Sequence, residues 1–186
     1  MKQSFGPKPW IYPQPVLIIG TYDENGVADA MNAAWGGVGD DTQVFLCLSP
    51  GHKTVKNILA KGEFTVSFGT ADTLAACDYL GMTSGNDTQD KLVKSGLHFH
   101  KGEFVDAPVI EELPVCMECK LISYEAEHCH LFGEILNTSV DEAVLTDGKP
   151  DAAKIKPVCF DIAGGQYRTV GEVVAKAWNI GKELLK

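Results

Sequence analysis

The chain has 186 residues, 45% of them apolar, which suffices for a packed core in one ordinary domain and argues against disorder. Its 25 acidic against 16 basic residues give a formal net charge of −9, which disfavours a nucleic-acid surface or an anionic membrane surface. No apolar run approaches the roughly 20 residues of a membrane span. The opening MKQSFGPKPWIYPQP has prolines and aromatics where a signal peptide needs an apolar run. A cytoplasmic protein is therefore expected, with its six cysteines reduced.

Residues 1–13 read as an extended N-terminal arm, rich in proline and carrying Trp10 and Tyr12. Val16 to Tyr22 is a continuous apolar, β-branched run, so a buried strand is expected. Asp23-Glu24-Asn25-Gly26 is a hairpin signal, and Val27 to Trp35 returns. Gly36-Gly37-Val38-Gly39 breaks that strand, and Gln43 to Leu48 forms the next. Lys53 to Lys61 has helical spacing and ends at Gly62. Phe64 to Phe68 alternates like a strand. Asp72 caps a short helix through Tyr79, and a second short helix spans Thr88 to Ser95. Val115–Tyr124 and His130–Ser139 are long strands, and Pro157–Ile162 a short final one. Residues 171–186 have the spacing of an amphipathic C-terminal helix. Closely spaced strands with tight turns indicate antiparallel pairing and a small closed or partly open β-barrel, with residues 1–186 as one domain.

The most informative chemistry lies in Ser49-Pro50-Gly51-His52-Lys53-Thr54, where a helix begins. Backbone N–H groups at a helix start are unpaired and partly positive, so they suit an anion. Lys53 adds a charge, and Ser49 and Thr54 add hydroxyl donors. In an acidic chain this reads as a small phosphate pocket.

Other chemistries find less support. Cys116 and Cys119 have opposite parity on a strand, unlike the converging thiolates of a zinc knuckle, and no metal site is assigned. His128 and His130 share a face, as alternate residues on a strand often do without a metal. The many glutamates follow from composition. There is no G-x-S-x-G elbow, no phosphate loop of the G-x-x-x-x-G-K-[ST] type, and Gly36-Gly37-x-Gly39 is not the dinucleotide fingerprint.

The ordered set PVLIIGTYDENG, Asn32-Ala33-Ala34-Trp35, Ser49-Pro50, His52-Lys53-Thr54, GEFTVS, Thr83-Ser84-Gly85, Asp90-Lys91 and Tyr167 resembles the flavin reductase-like proteins with an FMN-binding split barrel, in particular the flavoredoxin type. The resemblance implies a mainly β fold, a Greek-key split β-barrel with inserted helices and a C-terminal helix. It implies a homodimer with FMN near the interface. Asn32, Ala33, Ala34 and Trp35 would lie along the ring and ribityl chain. Ser49, His52, Lys53 and Thr54 would surround the phosphate. Ser84 and Lys91 would add donors, and Tyr167 would pack near the ring. The implied activity is electron passage from NAD(P)H or a reduced protein through FMN to flavin, ferric iron or a protein. No side chain need act as acid or base, so no catalytic residue is assigned. The alternatives are an electron carrier without NAD(P)H turnover and a non-catalytic FMN- or haem-binding protein.

Overall fold

The apolar run beginning at Val16 forms the buried centre of the molecule. The structure, a computed structural model, describes residues 1–185. In chain order come β1 (Gln14–Pro15), β2 (Leu17–Tyr22), β3 (Ala28–Ala33), β4 (Gly36–Asp40), β5 (Gln43–Cys47), α1 (Lys53–Lys61) and β6 (Glu63–Phe68). An excursion of α2 (Leu74–Met82), α3 (Lys91–Lys94), β7 (Phe99–Lys101) and β8 (Pro108–Ile110) precedes the long strands β9 (Val115–Glu125) and β10 (His130–Val140). Then follow β11 (Leu145–Thr146), β12 (Lys149–Pro150), α4 (Ala152–Ile155), β13 (Val158–Asp161) and β14 (Gln166–Thr169).

The main sheet has the order β3-β2-β6-β9-β10-β5-β4, with every neighbouring pair antiparallel. Its two edge strands, β3 and β4, are joined by Ala34 and Trp35 alone. Laid flat, edges six strand spacings apart would be separated by about 29 Å. Three Cα steps reach only about 11 Å. The sheet must therefore curl until its edges approach, which gives the expected mainly β barrel. β3 and β4 do not pair with each other, so the barrel is split there.

Both faces of β2 are covered, which is why its sequence is continuously apolar. Leu17 and Ile19 point into the barrel with Leu46, Leu48, Val55, Ile58, Phe64, Val66 and Leu131. Ile18 points outward, onto Cys77 and Leu80 of α2 and Leu92 of α3. This second core fixes the excursion against the barrel wall.

Several expectations need correction. Gly36–Asp40 is itself a strand, β4, paired with β5. A Cβ on Gly36 would sit 2.8 Å from Leu46 Cδ2 and 2.9 Å from Leu17 Cδ1, so glycine here permits close packing instead of breaking the strand. The helix expected from Asp72 starts at Leu74, and Asp72 instead pairs with Lys156 at 3.1 Å. The helix expected over 88–95 is only Lys91–Lys94. The C-terminal helix is absent over 171–179; residues 171–176 run without regular structure and a 3-10 segment spans Ile180–Leu185. Val173, Val174, Trp178 and Leu184 are all exposed, and an amphipathic pattern without a surface to pack on gives no tertiary support for a helix. Residue 186 of that expected helix lies outside the described residues.

Candidate functional site

Helix α1 begins after a Pro50-Gly51 turn, with the His52 N–H donating to the Ser49 carbonyl at 3.1 Å. His52 is extended at the N-cap and its side chain makes no capping bond, nor is there an acidic residue in the first turn. The helix start therefore keeps its partial positive charge open to the cleft in front of it. Gly62 at φ 73° ends the helix, its N–H donating to the Ile58 carbonyl at 2.7 Å. Asn57 Nδ2 donates to Thr21 Oγ1 at 3.0 Å, pinning the helix to β2.

That cleft has a volume of about 280 Å³ and is bounded by His52, Lys53, Thr54, the segment from Leu80 to Gly85, and Lys91. Lys53 Nζ lies 3.3 Å from Asp23 Oδ2. Lys91 is only 3% exposed. Its ammonium donates to the Thr83 carbonyl at 3.0 Å and the Leu80 carbonyl at 3.4 Å, at the negative end of α2. It lies 3.5 Å from Asp29 Oδ1. Asp29, also 3% exposed, accepts from Thr54 Oγ1 at 2.9 Å through its other oxygen. Asp29 Oδ1 has no hydrogen-bond partner. Burial pushes the Asp29 carboxyl up against the pull of Lys91 and Thr54. Burial, aided by Lys91, pushes His52 down, which favours the neutral imidazole. A Cβ on Gly85 would sit 2.6 Å from Asp29 Oδ1, so glycine lets the 83–85 loop close over the carboxylate.

A second cleft of about 490 Å³ adjoins the first, sharing Met31, Asn32 and His52. Ala33, Ala34, Trp35, Cys47, Phe160 and Ile162 give it an apolar wall. Trp35 is 51% exposed, so it stands at the rim and is not a core residue. Asn32 Nδ2 donates to the Cys77 carbonyl at 3.1 Å, which orients the amide at the junction of the two clefts. Tyr167 on β14 donates to Asp78 Oδ1 at 2.6 Å. Burial and that carboxylate push its phenol up to about 12, with Asn32 opposing.

Of the residues expected from sequence, His52, Lys53, Thr54, Ser84 and Lys91 meet around the first cleft, and Asn32 to Trp35 line the second. Ser49 lines the second cleft, beside His52, which borders both. The Thr54 hydroxyl is committed to Asp29 and is not a free donor. Tyr167 lines neither cleft directly; it packs beside Phe160 at a ring separation of 5.9 Å. Sequence reasoning missed Asp29, Met31 and Phe160. Asp29 carried a signal, as a lone charge in the small and apolar strand ADAMNA. Phe160 carried none, since only the tertiary fold brings β13 to this edge.

The buried thiols of Cys116 and Cys119 are pushed by desolvation up to about 11 and about 12, which keeps them protonated and unreactive.

A curled, split antiparallel barrel with short inserted helices defines an FMN-binding split-barrel fold, and residues 11–156 match the flavin reductase like domain. The chain belongs to the flavin reductase-like family. It is similar to the flavoredoxin of Desulfovibrio vulgaris (Miyazaki F), with 38% identity, a TM-score of 0.93, and coverage of 97% of this chain and 100% of that one. It is also similar to flavoredoxin from Methanosarcina acetivorans, with 28% identity, a TM-score of 0.89, and 99% of each chain covered. An FMN-binding domain of a flavin reductases-like enzyme from Shewanella baltica OS155 shares the fold at 22% identity and a TM-score of 0.77, covering 88% of this chain and 89% of that one.

Proposed function

We propose that the protein binds FMN and passes electrons through it, as a homodimer. The observation that carries this reading is the pair of adjoining clefts. One end offers an open helix start with Lys53 and Lys91, which suits a phosphate; the other is lined mainly by small, apolar and aromatic residues, which suits a ring. Small residues Ala33 and Ala34 allow a planar group to approach the backbone. The domain sharing this fold in Shewanella baltica is FMN-binding, which supports the choice of cofactor.

On this reading Lys53 and Lys91 hold the phosphate and Asn32 supports the ribityl chain. Trp35 and Phe160 limit water at the ring end. The bound group supplies transfer of hydride or single electrons, and the chain supplies position and electrostatics. The similarity to flavoredoxins, which are electron-transfer proteins, favours a carrier over an enzyme with rapid NAD(P)H turnover. The net charge of −9 suits docking to a basic protein partner. A homodimer accounts for the bare apolar side chains of Trp35, Val38, Val173, Val174 and Trp178.

The test is the absorption spectrum of the purified protein, followed by anaerobic addition of NADH and then NADPH. A flavin spectrum with slow or no bleaching supports the carrier. Fast bleaching supports a flavin reductase, and a haem spectrum or no chromophore after FMN addition refutes the assignment.

A further inference from the structure

Two carboxylates lie close to the anion pocket, where negative charge opposes the proposed ligand. Asp23 lies 3.3 Å from Lys53, and Asp29 lies 3.5 Å from Lys91. With His52 neutral, these groups cancel in charge before any ligand arrives. A phosphate monoester is a dianion above its second pKa of about 6. Its arrival would leave the half-buried pocket strongly negative unless a proton accompanied it.

The two carboxylates are not equivalent. Asp23 accepts from the backbone N–H groups of Asn25 and Val27, each at 2.9 Å, and it stays ionised, held below the usual carboxylate range by those bonds and Lys53. Asp29 is buried and one of its oxygens has no hydrogen-bond partner. The charged groups facing it are Lys91 from α3 and Lys53 from α1, while β2 presents only Thr21 opposite. Paired carboxyl groups whose surroundings push them apart divide into one that ionises and one that takes the proton.

We propose that Asp29 takes up a proton when a phosphate group enters the pocket, and that this frees both Lys91 and the Thr54 hydroxyl for the ligand. The inference rests on the phosphate reading of this cleft. While Asp29 is ionised, the Thr54 O–H is spent on it at 2.9 Å. A protonated Asp29 donates that bond instead, and Thr54 then turns its own hydrogen toward the anion. Lys91 loses its anionic neighbour and meets the phosphate with its full charge. The proton comes from bulk solvent, and no covalent bond changes in the ligand. Asp29 Oδ1 fits this role, because it has no hydrogen-bond partner and only the long 3.5 Å approach of the Lys91 ammonium, which leaves its charged form poorly satisfied.

The test is calorimetric titration with FMN and with riboflavin, from about pH 6.5 to 9, in buffers of low and high ionisation enthalpy. Riboflavin carries the same ring without the phosphate. The expected result is uptake approaching one proton per FMN on the alkaline side, with FMN affinity falling about tenfold per pH unit there, and neither effect with riboflavin. Asp29→Asn should abolish uptake and flatten the pH dependence while still binding FMN. Should that variant fail to fold, the infrared difference spectrum of the natural chain gives the same information, as a carboxylic acid band gained on FMN binding. FMN binding tighter than riboflavin but without proton uptake overturns the proposal and leaves the phosphate pocket standing; uptake persisting in Asp29→Asn does the same. Equal affinity for FMN and riboflavin overturns the pocket reading itself, and the proposal with it.

Discussion

Lys91 and Asp29 form a buried charge pair, each only 3% exposed. Removing Lys91 alone would leave the buried carboxylate without its nearest countercharge and the carbonyls of Leu80 and Thr83 without their donor. Lys91→Ala should therefore cost about 3–5 kcal/mol in a denaturant titration, and Lys91→Met with Asp29→Asn should recover most of it. A cost below about 0.5 kcal/mol for the single variant would show that the pair is not a structural unit. The Asp29 carboxyl is raised in the fold, so its contribution is fullest below the ordinary carboxylate range and is lost as pH rises through the raised value. Lys53 and Thr54 were readable from sequence because helix starts advertise themselves in local order. The partner that commits the Thr54 hydroxyl was not, since Asp29 is 25 residues away and meets α1 only once the barrel curls.

Elements carry a second set of consequences. The strand β4 runs through glycines because the edge of the split packs tightly on Leu46 and Leu17. Gly36→Val should lower stability by about 1–3 kcal/mol by overpacking, read as a lower denaturation midpoint at unchanged slope. Turn propensity alone misread this stretch as a break. Burial from both sides, which explains the run at Val16–Tyr22, was legible because apolar continuity signals it directly. In the separate sheet β1-β13-β14, Asp161 on β13 accepts from Tyr12 at 2.6 Å, the Gly164 N–H at 3.0 Å and Arg168 at 2.9 Å. These bonds tie the N-terminal arm to β13–β14 and lower the carboxyl to about 2. A lowered carboxyl stabilises above its ordinary range and loses that contribution as pH falls through about 2. Asp161→Ala should release the arm at neutral pH, seen as a red shift and quenching of Trp10 emission against a Trp10→Phe control. An unchanged Trp10 signal would show that the arm is held by its other contacts.

At the scale of the molecule, the amphipathic spacing of residues 171–186 was legible, but spacing alone does not build a helix. Over 171–185 the stretch leaves Val173, Val174, Trp178, Leu184 and Leu185 bare. In the proposed homodimer a second copy covers such surface. Light scattering should give twice the chain mass, and a chain ending at Val170 should dissociate at higher concentration than the full chain; a full chain that stays monomeric at micromolar concentration contradicts the dimer. The barrel itself was legible in the succession of strands and turns. Its split was legible only through the family resemblance, because which edges meet depends on pairing across the whole chain.

In the proposed complex the cleft at the start of α1 holds the phosphate of FMN. The most direct test of this placement compares FMN and riboflavin binding by the natural chain and by Lys53→Ala with Thr54→Ala. The double variant should lose about ten- to a hundredfold in FMN affinity while riboflavin changes little, since only FMN meets those residues with a charge. Equal loss for both ligands, or none for either, would contradict it.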